Sequence, residues 1–137
     1  MERLIIPKKD YESIIKYCEN QLPREACGLM AGYWDAQVGV VTKVFLLTNI
    51  KNSTEEYQVD PGEQVEVFNQ LETQNLELVS IFHSHPHNPP YPSKTDLERA
   101  YYPESVYTII SFMSGESEVR AFRITGNAYY EIQLKVN

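Results

Sequence analysis

All three histidines of this chain, His83, His85 and His87, fall within five residues and follow directly on a compact apolar run from Leu78 to Phe82. A short apolar run bounded by polar segments reads as a buried strand. Whatever fold the chain adopts must therefore carry imidazoles at the end of an interior strand. Residues two apart on a strand point to the same side, so His83 and His85 can present their rings to a common point. The proline-rich stretch PHNPPYPS separates them from a helix predicted from about Lys94 to Tyr101, whose first turn returns the carboxylate of Asp96. Random ordering of this composition gives roughly 0.04 His-x-His pairs per chain, and about one in a thousand with an Asp at that offset.

The rest of the chain surrounds that segment with mixed elements. From Pro7 to about Gln21, the apolar residues Tyr11, Ile14, Ile15 and Cys18 recur at three-to-four spacing opposite Lys8, Lys9, Glu12, Lys16 and Glu19, which predicts an amphipathic helix. Pro7 suits a first turn and Leu22-Pro23 a stop. Cys27 to Trp34 predicts a glycine-spaced buried strand, with Val38 to Leu47 as its hairpin partner. A polar loop from Asn49 to Thr54 leads to a short strand near Tyr57 to Val59. Asp60-Pro61-Gly62 then starts a second helix running to about Gln74. Three further strands are expected at Val106 to Phe112, Val119 to Ile124 and Tyr129 to Val136. Helices and strands do not alternate regularly, so the expected class is α+β, a central mixed sheet flanked by helices.

Composition narrows the partners. The 137 residues suit a single domain over 1–137, and 42% hydrophobic with 23% charged residues is enough to bury a core. The formal charge of −7, from 12 basic and 19 acidic residues, argues against nucleic acid and anionic membrane, which require clustered Lys and Arg. No run reaches the ~18 apolar residues of a membrane span, and the N-terminus lacks an export-signal pattern, so a cytoplasmic protein is expected. Cys18 and Cys27 are then expected to be reduced.

Two imidazoles and one carboxylate form a ligand set that zinc accepts while leaving a fourth position open. The same residues also permit a plainer reading. A histidine pair at a strand end can simply be solvated, and Ser93 with Asp96 fits a helix-capping pair. The two are compatible for Asp96, because a cap can fix the turn that aims a carboxylate. His87 is the expected bystander. Glu25, by itself, reads as a surface acid.

The order His83-Ser84-His85-Pro86, six residues, Ser93, two residues, Asp96 resembles the JAMM (MPN-type) metalloprotease signature at every defining position. Pro23-Arg24-Glu25-Ala26-Cys27-Gly28-Leu29 resembles the segment that carries the catalytic glutamate in small free-standing prokaryotic members. The resemblance implies a JAMM/MPN domain with a cytidine-deaminase-like layout, one zinc ion on His83, His85 and Asp96, Glu25 as general base and Ser93 as an oxyanion donor. It also implies hydrolysis of a peptide or isopeptide bond after the C-terminal Gly-Gly of a ubiquitin-like sulfur-carrier protein. The alternatives are a noncatalytic MPN scaffold, or a metallohydrolase with a non-protein substrate. A zinc deaminase is disfavoured because no paired-cysteine ligand motif is present.

Overall fold

A computed structural model describes residues 2–137. Seven strands and three helices follow in the order β1 (Arg3–Ile6), α1 (Lys8–Gln21), β2 (Cys27–Asp35), β3 (Val38–Leu47), α2 (Pro61–Thr73), β4 (Glu77–His85), α3 (Lys94–Glu98), β5 (Val106–Ser111), β6 (Glu118–Thr125) and β7 (Ala128–Val136). The sheet is mixed, as expected, and it closes on itself in the order β1-β3-β2-β4-β5-β6-β7, with β7 returning to β1. The pairs β1–β3, β1–β7 and β4–β5 are parallel and the others antiparallel. No helix among the described residues is long and apolar enough to cross a membrane.

Helix α1 lays Ile14 and Cys18 on a cluster that includes Leu4, Ala26, Met30, Phe82 and Ile110. Helix α2 lays Val67 and Leu71 on the opposite face, with Leu29, Ile81, Tyr107 and Phe122. Each helix thus buries one apolar stripe, as 3.6-residue periodicity requires. The glycines of β2 follow from this packing. A Cβ on Gly28 would lie 2.2 Å from the Phe82 ring, and one on Gly32 only 1.8 Å from the Val40 carbonyl oxygen, where β2 bulges against β3. Both thiols are free and buried.

Three expectations change. Strand β1 forms where no strand is expected; four residues offer little local signal, and its partners are distant parallel strands. No strand forms at Tyr57–Val59 beyond one isolated bridge between Asn49 and Val59. There the Asn49 side chain takes the backbone groups that a ladder would use, accepting from the N–H of Gln58 at 3.0 Å and donating to the Glu56 carbonyl at 3.1 Å. Helix α3 stops at Glu98 rather than continuing to Tyr101. Pro103 disfavours helical geometry at Tyr102, and the chain turns before reaching it.

Candidate metal centre

Strand β4 runs through the histidines and pairs with β2 in antiparallel register, Cys27 opposite His83 and Gly28 opposite Phe82. Extending that register sets Glu25 opposite His85. Directly opposed residues share a face, so His83, His85 and Glu25 lie on one side and Ser84 with Ala26 on the other. The ladder is fastened at this end by the Ser84 N–H donating to the Ala26 carbonyl at 3.0 Å and the Ala26 N–H donating to Ser84 Oγ at 2.8 Å.

Asp96 arrives from α3 through a capping box. Ser93 Oγ accepts from the Asp96 N–H at 3.0 Å, and Asp96 Oδ2 accepts from the Ser93 N–H at 2.9 Å. The box aims the carboxylate. Its Oδ1 stands 3.1 Å from His83 Nε2 and its Oδ2 3.0 Å from His85 Nε2, while the two ring nitrogens are 3.1 Å apart. His83 and His85 are buried, and the carboxylate is about one-tenth exposed. His87 is exposed and stands outside this cluster.

Three side chains this close need a shared partner. His85 Nδ1 lies 2.8 Å from the Pro89 carbonyl oxygen, which can only accept, so Nδ1 carries a proton. In the neutral ring, Nε2 then presents its lone pair to the lone pairs of Asp96. That contact calls for a second ring proton or for a cation between them. Donors about 2.1 Å from one tetrahedral zinc ion lie roughly 3.4 Å apart, so a modest spreading of the three admits an ion. The donor set fits a metal.

The electrostatics agree with this layout. Burial alone would raise the Asp96 pKa, but the His83 charge and the hydrogen bonds from both rings and from the Ser93 N–H hold it well below the carboxylate range. Burial would lower His85, yet the Asp96 hydrogen bond and the Pro89 carbonyl raise it above its ordinary value of 6.5. Glu25 is 3% exposed, and burial pushes its carboxyl up to about 7 against the pull of the two histidines. Among the described residues, Glu25 Oε1 and His83 Nδ1 are the buried side-chain polar atoms without a hydrogen-bond partner.

Two residues near the site matter more than the sequence suggested. Asn49 donates to the Glu25 carbonyl at 3.0 Å and also organises the turn after β3 through the Lys51 and Gln58 N–H groups. Tyr57 stacks on the His83 ring with centroids 4.7 Å apart. Both resemble positions near the substrate groove of small family members, but an asparagine opening a polar loop reads equally as a turn residue and a tyrosine in an expected strand as a core aromatic. A cavity of about 420 Å³ opens beside His83 and Asp96, walled by Tyr57, Phe68, Tyr102 and Tyr107.

A buried two-histidine, one-carboxylate cluster, with an unpaired carboxylate oxygen on the same face and a cavity beside it, has the layout of a metallohydrolase. Residues 7–125 match the family described as prokaryotic homologs of the JAB domain, and the chain belongs to that family. It is an enzyme of the hydrolase class. Its relatives include a desampylase from Haloferax volcanii, 35% identical over 115 residues, which cover 83% of this chain and 79% of that one. The CysO-cysteine peptidase of Mycobacterium tuberculosis is 30% identical over 134 residues, 97% of this chain and 90% of its own. A solution structure from Desulfitobacterium hafniense superposes with a TM-score of 0.87 at 30% identity, covering 100% of this chain and 93% of that one.

Proposed function

We propose that the 137 residues form one zinc-dependent peptidase unit that hydrolyses the amide bond after the C-terminal Gly-Gly of a ubiquitin-like sulfur-carrier protein. The observation that carries the hydrolytic reading is the unpaired, buried Oε1 of Glu25 on the face where His83, His85 and Asp96 converge. An isolated buried carboxylate is costly, and one with a pKa near 7 is suited to exchanging protons at neutral pH. The carrier reading is supported by the names of the relatives, among which the mycobacterial protein is a peptidase of a CysO-cysteine bond.

His83, His85 and Asp96 would hold the zinc ion, which supplies Lewis acidity that makes water deprotonate near neutral pH. Glu25 accepts the water proton at Oε1 and delivers it to the leaving amine nitrogen. The Ser93 hydroxyl accepts the Asp96 N–H as a cap and keeps its own proton free to donate to the developing oxyanion. Tyr57 and the walls of the adjoining cavity exclude water and confine an extended tail. Glycines suit that approach because they carry no side chain to clash.

The reading is tested by incubating the zinc-loaded protein with carrier fusions ending in Gly-Gly-X and in Ala-Ala-X, following cleavage by intact mass. Cleavage of the first alone is expected. Equal cleavage of both, or cutting of a generic peptide with neither fusion touched, would leave a broader peptidase.

A further inference from the structure

The cavity beside His83 and Asp96 does not end at the metal centre. Phe68, Tyr101 and Tyr102 form one of its walls and at the same time wall a second, more open cleft of about 1080 Å³ around Trp34 that contains none of the metal-site residues. The rim of that cleft is aromatic. Tyr101 is 73% exposed, with no ring stacked on it among the described residues, and Tyr130 is 55% exposed. Its charge is acidic. Arg123 is held over the Trp34 ring at 4.7 Å and neutralised by Glu2 at 2.9 Å, so those two charges cancel. Glu77 and Glu104 remain, both exposed, and the Glu104 carboxylate has no partner among the described residues.

We propose that this surface, from Tyr101 and Tyr102 across to Trp34 and Glu104, docks the folded body of the carrier through a basic face with apolar residues at its centre. The inference rests on the carrier reading above. Exposed tyrosines and a tryptophan in a depression are what partner surfaces use as anchors, because rigid rings bury area at little entropic cost. The acidic rim selects Lys and Arg on the partner and steers its approach. The shared residues Phe68, Tyr101 and Tyr102 set the two clefts side by side, so that one molecule reaching over them occupies both, its tail in the first and its body in the second. The carrier is favoured over the group it is joined to because the carrier is common to every conjugate. In the mycobacterial relative, whose name gives that group as cysteine, it is too small to reach a second cleft.

The experiment uses the full chain loaded with zinc and a ubiquitin-like sulfur carrier from the same organism with its Gly-Gly tail free. Calorimetry measures the affinity of wild type, Glu104→Lys, Thr125→Arg at another residue lining the second cleft and, as a control with comparable added positive charge, Glu19→Lys on α1. In parallel, each protein is assayed on a carrier conjugate and on a short peptide copying only the carrier's tail. Glu104→Lys and Thr125→Arg are expected each to weaken carrier binding about tenfold and to raise KM for the conjugate alike, with kcat and peptide cleavage unchanged and Glu19→Lys silent. Carrier affinity equal to wild type in both variants, an equal loss in Glu19→Lys, or no binding of the carrier overturns the docking surface. If the variants weaken carrier binding while wild type cleaves neither substrate, the surface stands and the proposed cleavage after the carrier's Gly-Gly fails. Cleavage with unaltered affinities gives the reverse.

Discussion

Ser84 and Ala26 are joined twice, through the Ser84 N–H to the Ala26 carbonyl and the Ala26 N–H to Ser84 Oγ. Ser84 therefore does its work on the far side of the strand from the histidines beside it, fixing the backbone one residue from Glu25. Ser84→Ala leaves the buried Ala26 N–H without its acceptor, a loss of about 1 to 3 kcal/mol. Urea unfolding should show that loss. Metal content should stay at wild type while kcat falls, because the change reaches Glu25 and not the ligands. Unaltered stability would mean the second bond is redundant.

The metal centre and the proton acceptor separate by substitution. Asp96→Ala removes the carboxylate that faces both rings and should release the metal, as should His85→Ala. Glu25→Gln should keep metal and fold and lose hydrolysis, since an amide fills the same space but takes no proton. Ser93→Ala should retain detectable activity, with a loss of roughly 3 to 4 kcal/mol in transition-state stabilisation as its upper range. Elemental analysis beside single-turnover rates decides each. Full occupancy in Asp96→Ala would contradict its assignment as a ligand.

The two ionisations at the site respond to pH in opposite senses. His85 is raised in the metal-free fold, so its stabilising contribution is fully present below 6.5 and fades as pH rises through the folded value. Asp96 is depressed from 3.8, so its contribution is present above that value and is lost only in stronger acid. Metal binding needs an unprotonated Nε2 and so gains with rising pH. The rise in melting temperature on adding zinc should therefore be larger at pH 8 than at pH 6. A gain independent of pH would mean that His85 does not bind the ion.

The buried thiols give a check on the core. Burial pushes both Cys18 and Cys27 up to about 12, with neither exposed to reagent. Ellman's reagent should leave both unmodified in the native protein and react with both in guanidinium. Rapid reaction of Cys18 in buffer would show that the face beneath α1 opens readily, and rapid reaction of Cys27, which lies opposite His83, that the metal-site face does.

Much of this arrangement was legible because its carriers are local. The β2–β3 hairpin, α1 and α2 follow from residue periodicity and punctuation, and the cap on α3 from Ser93 and Asp96 three residues apart. The closeness of His83 and His85 needed only the two-residue repeat of a strand. What escaped depends on sequence-distant partners. Strand β1 exists because β3 and β7 flank it, and no alternation within Arg3–Ile6 announces two parallel neighbours. Tyr57 is placed by His83, and Asn49 by Glu25 and the turn that follows it. The burial of Glu25 came only from resemblance, since one glutamate beside an arginine looks like any solvated acid until the β2–β4 register sets it opposite His85.

The closing of the sheet has a consequence for solubility. The seven strands form a hoop, and its seam is the four residues of β1, held by Val38 to Val40 on one side and Gln133 to Val136 on the other. Without that seam, two ribbons of unpaired amides and carbonyls would face outward, each a template for another chain. Such a molecule could still bring His83, His85 and Asp96 together, because β2, β4 and α3 lie elsewhere on the hoop. It would nonetheless be sticky, and its first failure would be precipitation rather than loss of the metal.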